Sequence, residues 1–209
     1  AATFHFRTCY SILMLPKKFY ENAINHLYQE ELGEIITDDK NIYEELQQLY
    51  AGNPDILSKI RFYENDAISL GTLYSFETQI QRAISERVWM KSGAYLIIQP
   101  TEALTVIDVN SGKNTSGKNA EEYYYKINLE AAAEISRQLR LRNISGIVIV
   151  DFINMAKEEQ RKELMHQFRL SLKEDPVPVR LVDITKLGLV ELTRKKERKT
   201  LLEQVAQLR

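Results

Sequence analysis

Residues 146–152, GIVIVDF, form an apolar run broken only by one aspartate near its end. The run is short and rich in β-branched residues, so it reads as a fully apolar strand. A similar run, ALTVIDV (103–109), follows AYLIIQ (94–99) across the turn PTE, and these two segments are predicted to form a hairpin. Helical spacing occupies about 120–142 and again 157–174. Strand patterns follow at VPVRLVDI (177–184) and GLVELTRKK (188–196). This alternation predicts an α/β fold with a mixed sheet and packed helices.

A smaller α/β region is predicted upstream. GEIITD (33–38) and KIRFYE (59–64) read as strands on either side of a helix at 40–50, whose apolar positions are Ile42, Leu46, Leu49 and Tyr50. YSFETQIQRAISERV (74–88) reads as a second amphipathic helix with Ser75 and Thr78 as candidate caps. A break at MKSG sets the expected division at 1–88 and 89–209, with Trp89 packing where the two regions meet.

Composition limits the class of protein. With 44% hydrophobic and 27% charged residues the chain is an ordinary globular one. No apolar stretch approaches the ~20 residues of a membrane span, and no signal-peptide pattern opens the chain, so a cytoplasmic location without membrane partners is expected. The single cysteine, Cys9, excludes an internal disulfide and a Cys-x-x-Cys metal knuckle. Ala1 in place of a starting Met points to a fragment, a trimmed chain or a processed one. The net charge of −1 conceals an asymmetry: residues 31–66 carry nine acids against three bases. Lys186, Arg194, Lys195, Lys196, Arg198 and Lys199 make the other end basic, as a surface facing a polyanion would be.

Gly112, Gly117 and Lys118 fit the spacing of a phosphate-binding loop. The next position argues against it, because Asn119 has no hydroxyl to ligate Mg²⁺. Asn119 and Glu122 instead fit a helix-capping pair, and Glu121 and Glu122 would repel a triphosphate from the helix start.

Asp108 and Asp151 remain, each ending an apolar strand. If these strands are neighbours, both carboxylates reach one sheet edge, where α/β sheets commonly hold ligands. Two carboxylates held together repel unless a cation neutralises them, and Mg²⁺ binds through one or two carboxylates while keeping several waters. Asn110 lies two residues beyond Asp108, on the same side of an extended chain. His5, His26 and His166 are scattered and are expected to have no catalytic or metal role. Of Tyr123, Tyr124 and Tyr125, at least one is expected to pack on the sheet.

EALTVIDVNSGK, NLEAAAEISRQLRLRNISGIVIVDFINM and LVDITKLGLVELTRKK together closely resemble the catalytic core of the ribonuclease E/G family. The resemblance is dense over about 93–199 and reaches back more weakly to about 20. It implies a DNase I-like subdomain at 89–209, preceded by part of an RNase H-like one at 1–88. It also implies a Mg²⁺-dependent endoribonuclease, acting in RNA processing and decay, that cuts single-stranded RNA to leave 5′-phosphate products. Mn²⁺ is expected to substitute. Carried over by motif, Asp108 and Asp151 are the metal ligands and Asn110 assists them. Lys186 falls at a family basic position, and Lys113, Arg194 and Lys195 join it as expected RNA contacts.

The sequence departs from the family in several places. Asn154 stands where the family has a further aspartate. Neither an S1-type RNA-binding domain nor a 5′ sensor finds room in these residues, and the zinc-sharing cysteines are absent, so no zinc is expected and a homo-oligomer would form without that link. A non-catalytic RNA-binding or assembly module is therefore the alternative expectation, with a nucleotide hydrolase behind it.

Overall fold

A computed structural model describes residues 20, 21, 24, 32–112 and 120–207. Cys9, His5, His26, Lys113 and the 113–119 part of the candidate phosphate loop lie outside the described residues. The chain divides into two units, Ala1–Phe76 and Glu77–Arg209. Residues 77–88, grouped upstream by sequence, thus fall in the second unit.

In the first unit β1 (Ile35–Thr37) and β2 (Ile60–Phe62) pair in parallel, Ile35 opposite Ile60. The helix α1 (Lys40–Leu49) starts at Asp39, whose carboxylate accepts from Asn41 N and Ile42 N at 2.8 and 3.1 Å. Such caps satisfy helix-start N–H groups that have no partner within the helix. Leu46 and Tyr50 enter the core with Ile56 and Ile60, whereas Leu49, an expected core position, is exposed. Two short helices follow with caps of their own, α2 (Pro54–Leu57) behind Asn53 and α3 (Leu70–Leu73) behind Ser69.

The helix α4 (Phe76–Ile84) is shorter than expected. Ser75, an expected cap, precedes it at φ +52°, and Thr78 lies inside it. The ERV end of the predicted helix departs from it, because Arg87–Trp89 is a strand, β3. Its partner β4 (Tyr95–Pro100) supplies backbone hydrogen bonds that outweigh local helical spacing.

The mixed α/β prediction holds for the second unit. Six strands lie in the order β3-β4-β5-β6-β8-β7, with β5 at Leu104–Asn110, β6 at Gly146–Asp151, β7 at Val179–Ile184 and β8 at Val190–Arg194. Only β5 and β6 pair in parallel; the other neighbours are antiparallel. A parallel pair needs a long crossover, and α5 (Ala120–Arg142) supplies it. That helix ends where Asn143 adopts φ +48°, a left-handed stop.

One sheet face is buried. Ile107, Val109, Val148, Val150 and Leu192 pack with Ile127, Ala131, Ile135 and Leu139 of α5 and with Leu164 and Phe168 of α6 (Glu158–Leu172). Tyr123 and Tyr125 pack against this core, as the tyrosine run predicted. The opposite face keeps the alternate residues of each strand, all of them less buried. A last helix, α7 (Leu201–Gln207), was not expected. The approach to it is tied down by Asn143 Nδ2, which donates to the carbonyls of Arg198 and Lys199 at 3.0 Å each.

Candidate active site

Alternation along β5 turns Thr105, Ile107 and Val109 into the core and Val106, Asp108 and Asn110 to the other face. On β6 the same alternation buries Val148 and Val150 and leaves Asp151 exposed. Asp108 and Asp151 are register partners across this parallel pair. Their Cα atoms are therefore about 4.8 Å apart and their side chains leave the same face. The condition set by the sequence, that the two strands be neighbours, is met.

Asn110 Nδ2 donates to Asp108 Oδ2 at 2.8 Å, which holds one carboxylate oxygen in place. Among the described residues no lysine or arginine forms an ion pair with Asp108 or Asp151. Nor do three His, Cys, Asp or Glu side chains converge anywhere among them. Two carboxylates and a neutral amide suit Mg²⁺, which completes its shell with water, and do not suit a closed all-protein zinc cage.

Asn128, which no motif in the sequence singles out, ties α5 to the segment beyond Asp151. It is fully buried in α5, where its Nδ2 donates to Ile153 O at 2.7 Å and its Oδ1 accepts from Ile153 N at 3.0 Å. This clamp fixes the backbone two residues beyond Asp151. Its spacing of three, four and seven to Ala131, Ala132 and Ile135, which places an amide on the buried face, was the available signal. Beyond Asn110 the chain turns at Gly112, at φ +72°, where a Cβ would lie 2.4 Å from Gly93 O. Only glycine permits that close approach of two backbones.

The four expected RNA contacts separate. Lys186 lies in the β7–β8 turn and, with Asn154, Met155 and Arg161, lines a cavity of about 600 Å³ beside the segment that follows Asp151. Arg194 is not a free cation: it is 4% exposed and paired with Asp175, and Nη1 donates to Asn143 Oδ1 and Ile144 O at 2.8 and 3.1 Å. Composition marks it as a surface base, but the alternation of β8 turns Val190, Leu192 and Arg194 inward together. Lys195 is exposed beside Glu197 at 3.1 Å. Because β8 runs antiparallel to β6, with Arg194 opposite Gly146, Lys195 sits near the edge away from Asp151. Lys113 lies outside the described residues.

The sequence profile described as "Ribonuclease E/G family" matches residues 3–197. The chain belongs to this family. It is 39% identical over 181 residues to Ribonuclease G of Salmonella typhimurium, covering 86% of this chain and 37% of that protein. Ribonuclease E of Escherichia coli K12 is 36% identical over 176 residues, 83% of this chain and 16% of that protein. Ribonuclease E of Nostoc is 36% identical over 197 residues, 92% of this chain and 28% of its own length. The chain thus spans little more than a third of the ribonuclease G length it matches.

Proposed function

We propose that this chain is the catalytic core of an endoribonuclease that cuts single-stranded RNA and leaves 5′-phosphate ends, with Asp108 and Asp151 holding one Mg²⁺ between them. The register of these two aspartates, on the sheet face turned away from the helices, carries the reading. Membership of a ribonuclease family supports it.

In such a reaction water adds to phosphorus and the P–O3′ bond breaks, giving a 5′-phosphate and a 3′-hydroxyl. Mg²⁺, when bound, supplies Lewis acidity toward a phosphate oxygen and lowers the pKa of water. Asn110 keeps Asp108 aimed through its 2.8 Å hydrogen bond. Asn128 holds the turn after Asp151. Lys186, which lines the neighbouring cavity, meets RNA phosphate as a point charge.

The test is cleavage of a single-stranded RNA by the full chain with and without Mg²⁺, beside Asp108→Asn and Asp151→Asn. Both substitutions are expected to lower the rate by orders of magnitude, since each removes a full ligand charge. Cleavage at the parent's rate by either variant would overturn the two-aspartate site. RNA binding without cleavage, indifferent to Mg²⁺ and to Asp108, would replace the enzyme by a binding module.

A further inference from the structure

Register across β3, β4, β5 and β6 sets two rows on the open sheet face. One row is Arg87, Ile97, Asp108 and Asp151; the next is Trp89, Tyr95 and Asn110. Trp89 is 63% exposed, although it was expected to pack at a junction. Its ring lies 5.1 Å from that of Tyr95, inclined at 57°. The Arg87 guanidinium sits 4.6 Å from the Tyr95 centroid and 5.6 Å from that of Trp89.

An exposed tryptophan leaves a large apolar surface in water, which is unfavourable unless a ligand covers it. Here the exposed ring comes with a second ring and a permanent cation, on the same face as the candidate catalytic carboxylates. We propose that Trp89 and Tyr95, flanked by Arg87, form a shelf on which a base of single-stranded RNA stacks beside the phosphate to be cut. This rests on the nuclease reading above and extends it to how substrate is held.

The chemistry fits that occupant. Every base has a π-face, so aromatic shelves hold single strands without regard to sequence, and a neighbouring arginine adds cation–π attraction and charge for the backbone. Trp89 stands two strand spacings from Asn110, about 10 Å, so base and scissile phosphate belong to neighbouring parts of one strand. A purely apolar contact with a second copy would have no use for a guanidinium over the rings.

Trp89 is the chain's one tryptophan, so its emission reports on the shelf alone. The experiment titrates the full chain, in chelator to prevent cleavage, with an end-labelled oligoadenylate, following both Trp emission and the label's anisotropy. Emission should be quenched as anisotropy saturates, but not by an abasic ribose-phosphate oligomer. Trp89→Leu should weaken binding roughly five- to 100-fold, while Trp89→Phe, which keeps a stacking face, should stay within about threefold. Saturating anisotropy with unchanged emission and an unweakened leucine variant would remove the shelf and leave the nuclease reading standing. A parent that sediments as a dimer, made monomeric by Trp89→Leu with RNA affinity unchanged, would reassign the face to a second copy and overturn the proposal. Failure of the parent to bind RNA at all would overturn both.

Discussion

Arg194 and Asp175 form a two-pronged ion pair, Nε to Oδ2 at 2.8 Å and Nη2 to Oδ1 at 3.1 Å, with side chains only 3% and 1% exposed. The pair joins β8 to the turn beyond α6, and through Asn143 and Ile144 it also ties the start of β6. Removing one partner strands a buried charge. Asp175→Asn should therefore destabilise the second unit by about 3–5 kcal/mol, whereas replacing both residues by apolar ones of similar volume should cost far less. Urea unfolding of the single and double variants measures the difference. RNA affinity at a fixed folded fraction should not change, because Arg194 faces the interior.

Asn128 links the core to the site. Asn128→Ala leaves the N–H and C=O of Ile153 without their partner, at a cost of about 1–3 kcal/mol. Asn128→Asp keeps the acceptor but sets a carboxylate oxygen against Ile153 O. A shifted turn after Asp151 should lower kcat more than it raises KM, which steady-state kinetics on RNA would separate. Equal kcat for parent and alanine variant would confine Asn128 to a purely structural role.

The sheet was legible in the sequence wherever a segment's local pattern agreed with its final environment. The 23-residue α5 and the apolar runs of β5 and β6 needed no tertiary information, and with them came Asp108, Asn110 and Asp151. The misreadings arose where pairing overrode local pattern. Residues 87–89 continue a helical spacing but are captured by β4, and that capture exposes Trp89. The place of the basic segment after β8 relative to Asp151 was not legible, because strand direction is not written in composition. Antiparallel pairing sends it to the edge opposite Asp151 and leaves Lys186 at the near one.

A chain of polar contacts along α5 makes part of the stability depend on pH. Arg137 Nη2 and Gln138 Nε2 donate to Glu134 Oε1 at 2.6 and 2.7 Å, and Arg142 Nε donates to Gln138 Oε1 at 2.6 Å. Burial alone would raise the Glu134 pKa, but the hydrogen bonds from Arg137 and Gln138 and the two guanidinium charges together hold it below the ordinary glutamate value. A carboxyl whose folded pKa is depressed contributes stability above its unfolded pKa and loses it as pH falls through the folded one. Glu134→Gln should therefore be less stable than the parent at neutral pH, by about 1 kcal/mol or less, because the partner Arg137 is half-exposed and solvent screens the pair. The two unfolding curves should converge in acid. A gap that persists once Glu134 is protonated would assign the loss to packing instead.

The paired aspartates make a prediction of opposite sign, because they lack a cation partner among the described residues. Two carboxylates on adjacent strands repel each other in the metal-free protein, and replacing either by asparagine removes that repulsion without changing side-chain volume. In chelator, Asp108→Asn and Asp151→Asn should accordingly melt no lower than the parent. Mg²⁺ should reverse the order. An ion bound only by the folded state stabilises it by RT ln(1 + [L]/Kd), about 1.4 kcal/mol at tenfold excess over Kd. For a chain of this size that raises the parent's Tm by roughly 3–6 °C. The variants, each left with one carboxylate, should show little or none of this rise. The measurement needs no RNA and no turnover, so it tests the shared site apart from catalysis. A Mg²⁺-induced rise that survives in both variants would place the ion elsewhere, and variants that melt well below the parent in chelator would show the aspartates to be strand-end supports rather than ligands.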